Sequence, residues 1–98
     1  MSEIRKLNED HWYFEGELTF ETAPRLLSKC PEIWPEKTVT VDLSGTTLVD
    51  TAGLSLLIEW CRLAKNKGGV IRYINLSSSL SRFFNFTGLG FLVAGNAQ

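Results

Sequence analysis

Val49-Asp50-Thr51-Ala52-Gly53-Leu54-Ser55-Leu56-Leu57 is the stretch from which the fold of this chain is read. It starts as the end of a β-branched segment, turns at an aspartate and continues as an apolar run with helical spacing. The first turn of a helix leaves backbone N–H groups without intrahelical acceptors, and an N-cap carboxylate can accept from them. Asp50 is placed to do this. Thr51 then stands at the helix mouth with its hydroxyl near solvent. Gly53 lies in the first turn, where glycine costs about 1 kcal/mol of helix propensity relative to alanine. Such a cost needs a reason: tight packing of helix on sheet, or close approach of a partner.

The helical pattern runs from here to about residue 66 and closes at Gly68-Gly69. At about 100° per residue, Leu54, Leu57, Ile58, Cys61 and Ala64 fall on one side. Leu56, Trp60 and Leu63 carry the apolar arc past the width that packing on a sheet requires, while Ser55, Glu59, Arg62 and Asn66 form a narrow polar stripe. The preferred reading of the extra arc is burial under an adjacent helix. The alternative is an additional docking surface at Leu56, Trp60 and Leu63, because exposed aromatic patches mark interfaces.

Upstream, residues 38–43 are β-branched and alternating, with Val39, Val41 and Leu43 on one face of a central strand, followed by loop chemistry in Ser44-Gly45-Thr46-Thr47. Earlier still, Trp12, Phe14, Gly16 and Leu18 alternate with His11, Tyr13, Glu15 and Glu17, the period of two of a half-buried strand. Residues 4–7 form a short edge strand, turned into it by Asn8-Glu9-Asp10. Thr22-Ala23-Pro24 reads as a helix start with Thr22 as cap; Ala23, Leu26, Leu27 and Cys30 follow at helical spacing, and Pro31 ends the run. Downstream, residues 70–76 are a further strand. Ser77-Ser78-Ser79 caps a short helix carrying Leu80, Phe83 and Phe84 and ending at Gly88, and Phe91-Leu92-Val93 is a last strand. Strands alternating with helices over 98 residues predict one α/β domain with a largely parallel or mixed sheet and helices packed on it.

Composition narrows the function. The chain is 44% apolar and 21% charged with a formal net charge of −1, which gives no basic surface for nucleic acid or anionic membrane. Lys65 and Lys67 sit where they complement a helix dipole. No apolar run approaches the roughly 18 residues of a membrane span, and Met1-Ser2-Glu3-Ile4-Arg5-Lys6 lacks the apolar core of a signal peptide. A soluble, cytoplasmic protein is expected. Cys30 and Cys61 are too far apart for a CxxC motif and read as buried free thiols.

Catalysis is not expected. His11 is the one histidine, and no motif places a nucleophile beside it. Asp42 and Asp50 could converge on a cation, but no further ligand motif accompanies them, so capping and loop hydrogen bonds are the preferred roles. No GxxxxGK loop is present, and no metal or cofactor is expected, so any ATP chemistry belongs to a partner.

Val41-Asp42-Leu43-Ser44-Gly45, followed by Val49-Asp50-Thr51-Ala52-Gly53-Leu54, resembles the signature of STAS domains, the family of anti-sigma-factor antagonists and sulfate-transporter tails. Gly16-Glu17-Leu18 ahead of the first helix also suits that family, and the resemblance covers nearly the whole of residues 1–98. It implies a mixed sheet with helices packed mainly on one face and a partner contact at Asp50, Thr51, Ala52, Gly53 and Leu54. In the antagonists, the residue after the loop aspartate is a Ser or Thr phosphorylated by an anti-sigma factor kinase. Thr51 occupies that position here, and Ala52 stands where serine often follows. Ser55-Leu56-Leu57, Leu63-Ala64-Lys65 and Gly68 look closer to the Mla-type STAS subunit. That resemblance implies a non-catalytic accessory protein bound to the ATPase of a phospholipid ABC transporter that maintains outer-membrane lipid asymmetry. It would be cytoplasmic, peripheral to an inner-membrane complex and without membrane insertion of its own. A homodimer is also compatible with the sequence.

Overall fold

Alternation of apolar and polar residues turns one face of each strand toward a common core. β1 (Glu3–Lys6) and β2 (His11–Leu18) are antiparallel, β3 (Thr38–Val49) runs parallel to β2, and β4 (Val70–Ile74) runs parallel to β3. The result is a four-stranded mixed sheet in the order β1-β2-β3-β4. Three helices complete the computed structural model, which describes residues 2–86: α1 (Ala23–Leu27), α2 (Thr51–Asn66) and α3 (Ser78–Phe86).

Phe14, Leu18, Val39, Val41, Leu43, Ile71 and Tyr73 of the sheet are buried, whereas their strand neighbours Tyr13, Thr40 and Arg72 are not. The helices therefore share one face. The steps from β2 to β3 and from β3 to β4 go the same way across the sheet, and right-handed crossovers stepping one way place their helices on one side. α2 lies over β2, β3 and β4, and α1 packs against α2. The buried Tyr73 hydroxyl donates to the Leu57 carbonyl at 2.6 Å and pins β4 to α2. Burial holds that phenol well above its ordinary pKa, so it stays a donor.

Several expectations are adjusted. β1 begins and ends one residue earlier than the pattern implied, and β4 stops at Ile74. Residues 44–47 belong to β3 rather than to a loop: Gly45 pairs with Glu15 and Thr46 with Gly16, across two register shifts. The reason is non-local, because the backbone groups at the end of β2 need ladder partners and the adjacent strand supplies them despite its loop-like residues. α1 ends at Leu27, so Cys30 lies beyond it. Thr22 holds the N-cap position, yet its side chain makes no capping bond. α2 matches its expected span, with Gly68 beyond its end in the left-handed region (φ 83). The expected helix end at Gly88 and the strand at Phe91-Leu92-Val93 lie outside the described residues.

The extra apolar arc of α2 is core. Trp60 is 0% and Leu56 4% exposed, while Leu63 is partly buried against the same cluster. α1 packs against α2, and with Leu56 and Trp60 buried the arc does not form the exposed aromatic patch that the docking alternative required. Trp60→Ala is expected to cost about 3–5 kcal/mol of unfolding free energy in a urea titration, as large aromatic deletions in cores do. A loss below about 1 kcal/mol would show that this face of α2 is open.

Candidate functional site

The mouth of α2 is assembled from two ends that meet at Leu18. The last residue of β2 pairs with Val49, and its carbonyl accepts from the Asp50 N–H at 3.1 Å. Gly53 packs against that carbonyl so closely that a Cβ would fall inside the Leu18 backbone. This settles why glycine stands in the first turn. The space is filled by the sheet, and Gly53 is buried, so its backbone is not offered to a partner as the sequence reading had allowed.

Asp50 has extended backbone (φ −122, ψ −174), which turns its carboxylate back over the first turn. Oδ1 accepts from the Gly53 N–H at 3.0 Å, as the capping expectation required, and Oδ2 accepts from the Phe20 N–H at 3.0 Å. The Gly53 and Phe20 amides hold the carboxyl below its ordinary pKa. With Asp50 occupied inward, Thr51 is the residue of the group that faces solvent; Ala52 and Leu54 are partly buried.

Two grooves reach the first turn of α2, one at Ala52 and Ser55 and the other at Leu54. One, of about 470 Å³, lies between α1 and α2 and is lined by Phe20, Ala23, Pro24, Leu27, Ala52, Ser55, Leu56 and Glu59. Phe20 is 69% and Leu27 44% exposed, large apolar groups left at the surface. The sequence reading missed both. The available signal was an aromatic residue in the polar segment Thr19-Phe20-Glu21-Thr22, where neither strand alternation nor a helical stripe accounts for it. The second groove, of about 510 Å³, includes Leu48, Leu54, Leu76 and Phe83 with the hydroxyl residues Thr46, Thr47 and Ser77.

The other candidates sit apart from this mouth. Asp42 Oδ1 accepts from the Ser44 N–H at 2.8 Å and from Asn75 Nδ2 at 3.1 Å, bracing Asn75 in the left-handed region (φ 59). Partial burial raises the Asp42 pKa, but the bonds from Ser44 and Asn75 outweigh it and the net shift is downward. Asp42 and Asp50 thus serve different loops and do not converge on a shared ligand. His11 opens β2 opposite Thr40. Cys30 and Cys61 are free thiols, and burial pushes the Cys61 pKa up to about 11, which disfavours the reactive thiolate. Among the described residues, no helix is long and apolar enough to cross a membrane, and no cluster of three metal-ligating side chains occurs.

A four-stranded mixed sheet with helices on one face, and an exposed threonine at the mouth of the helix after β3, defines the class: a small α/β domain of the anti-sigma-factor-antagonist fold. A family profile described as "Mlab, STAS domain" matches residues 5–94, and the chain belongs to the STAS domain family. It is 29% identical over 75 residues to the anti-sigma-B factor antagonist of Bacillus subtilis (strain 168), a match covering 76% of this chain and 69% of that protein. The anti-sigma factor antagonist SpoIIAA in its unphosphorylated form superposes with a TM-score of 0.72 at 17% identity, covering 95% of this chain and 85% of that one. A sulfate transporter family protein from Wolinella succinogenes superposes with a TM-score of 0.63 at 19% identity, covering 89% and 72%. These superpositions establish the shared fold.

Gly53→Ala is expected to destabilise the domain by about 1–3 kcal/mol through overpacking against Leu18, read from chemical unfolding; an unchanged midpoint would contradict the close contact. Asp50 has a lowered folded pKa, so its contribution is complete above the ordinary value of 3.8 and fades as pH falls below it. The stability gap between wild type and Asp50→Asn should accordingly narrow between about pH 6 and about pH 2.5 in thermal unfolding.

Proposed function

We propose that this chain is a non-catalytic STAS domain that works by binding a protein partner through Thr51 and the surface beside it. The observation that carries this reading is the exposed Thr51 hydroxyl on a mouth held in place by Asp50 and by the Gly53–Leu18 packing, with the Phe20–Leu27 groove alongside. Apolar rims next to a presented polar group suit protein recognition, in which a few apolar anchors supply most of the affinity. Asp50 supports the surface from within, Ala52 and Leu54 border it, and Thr51 makes the contact.

Two kinds of partner fit. In one reading, the chain is the accessory subunit bound to the ATPase of a phospholipid ABC transporter, in the cytoplasm and peripheral to the inner membrane. The Mlab description of the matching family profile supports it, as do Ala52 and the Ser55-Leu56-Leu57 run. In the other, the chain is an anti-sigma-factor antagonist whose partner kinase phosphorylates Thr51, and the named relatives favour this one. A phosphate on Thr51 adds about −1.5 to −2 charges. The helix dipole tolerates that charge at an N-terminus. A partner surface shaped for a neutral hydroxyl, next to the ionised Asp50, does not.

Affinity capture from native cells separates the two, by recovering a membrane ATPase or an anti-sigma factor kinase. Thr51→Glu is expected to abolish binding in both readings; unaltered affinity in calorimetric titration would remove Thr51 from the contact. Thr51→Ala should leave an antagonist permanently able to bind but weaken a static complex with an ATPase.

A further inference from the structure

A helix cap needs one acceptor, and Asp50 supplies two. Oδ1 satisfies Gly53 within α2, while Oδ2 reaches the Phe20 N–H, thirty residues earlier in the chain, on the loop between β2 and α1. That loop is stiff in its own right. The Thr22 hydroxyl donates to the Glu17 carbonyl at 2.8 Å and accepts from the Thr19 N–H at 3.1 Å, and the Thr22 and Ala23 N–H groups donate to the Thr19 carbonyl at 3.0 and 2.7 Å. Ser2 Oγ anchors the same segment, donating to the Glu17 carbonyl at 2.7 Å and accepting from the Glu17 N–H at 2.8 Å. The loop therefore behaves as a preformed turn. Asp50 ties this turn to the start of α2 twice: its N–H donates to the Leu18 carbonyl at the root of the turn, and its second oxygen is the acceptor that reaches Phe20 within it.

We propose that Asp50 is a positioning residue that joins Phe20 and Thr51 into one composite recognition surface. This assignment rests on the reading of Thr51 as the partner contact, and it gives the position a chemical requirement that capping alone does not. Serine or threonine caps a helix about as well as aspartate, but each has one oxygen and leaves the Phe20 N–H unpaired. Asparagine has one acceptor oxygen, and its amide N–H₂ would face the donor of Phe20. Only a carboxylate closes both contacts. A partner that reads Thr51 consequently reads Phe20 at a fixed offset, and the wall of the α1–α2 groove keeps its place relative to the hydroxyl.

The test compares amide hydrogen exchange by NMR in the full chain as wild type, Asp50→Ser and Asp50→Asn. Both variants are expected to speed exchange of the Phe20 amide by about tenfold or more, the effect of losing a charge-assisted hydrogen bond. In Asp50→Ser the Gly53 amide should stay within about threefold of wild type, since serine still caps. The amides of Val41 and Ile71 report global opening and should change less than that of Phe20. Phe20 protection retained in Asp50→Ser, or lost only in step with Val41 and Ile71, overturns the proposal. Because exchange needs no partner, its outcome stands whether or not Thr51 proves to be the contact. In capture from native cells, Asp50→Ser and Phe20→Ala should reduce recovery of the same ATPase or anti-sigma factor that Thr51→Glu loses, at a temperature where circular dichroism shows each variant folded. Full recovery by both variants, alongside loss by Thr51→Glu, overturns the composite surface and leaves Thr51 as the contact.

Discussion

The carbonyl of Leu18 is the point at which this domain is closed. It ends β2, accepts from the Asp50 N–H and lies against Gly53 with no room for a side chain between them. A helix can approach a strand end this closely only where one residue lacks a Cβ. The lost helix propensity of Gly53, about 1 kcal/mol, is outweighed by the packing it permits. Once α2 is seated here, its buried side, Gly53, Leu57, Trp60 and Ala64, is committed to the core, and Thr51 is left outward.

The position of the mouth follows from the sheet. β2, β3 and β4 are parallel, and Thr51 lies just past the carboxyl end of β3, beside the carboxyl end of β2. Open α/β sheets present their binding surfaces at this end, where the connections leave the strands and backbone amides point outward. At the opposite end the charged side chains are used in holding the fold together. Lys37 bonds Asp10 at 2.7 Å and lies 4.2 Å from the Trp34 ring centre, stapling the β1–β2 turn to the start of β3. The two ends thus divide the work: ion pairing and cation–π contact brace one, and a hydroxyl with apolar rims is presented at the other.

The open face of the sheet shows the same economy. Arg5 reaches Glu15 at 3.2 Å and lies 5.2 Å from the Tyr13 ring centre, covering β1 and β2 with side chains of their own. Exposed pairs of this kind contribute little to stability, about 0–1 kcal/mol, but they occupy the polar surface of an edge. Exposed apolar groups occur at several places among the described residues, and on the α1–α2 side Phe20 and Leu27 lie near the exposed Thr51.

By itself the sequence determined the fold class, the two central strands, the extent of α2 and the capping role of Asp50. Each is governed by local rules: alternation with period two, apolar spacing at 3.6, and the unsatisfied amides of a helix start. Residues whose state depends on a distant neighbour were not legible in this way. Ser44-Gly45-Thr46-Thr47 became strand because β2 needed ladder partners. For Leu56 and Trp60 the sequence favoured burial under an adjacent helix over exposure, and α1 is the neighbour that decided it. The Thr22 hydroxyl turned away from its helix toward Glu17. Phe20 joined the candidate site through a hydrogen bond that spans thirty residues of chain. Tertiary structure alone decided which apolar residues stay at the surface, because that depends on which elements lie above them, and a local pattern does not contain that information.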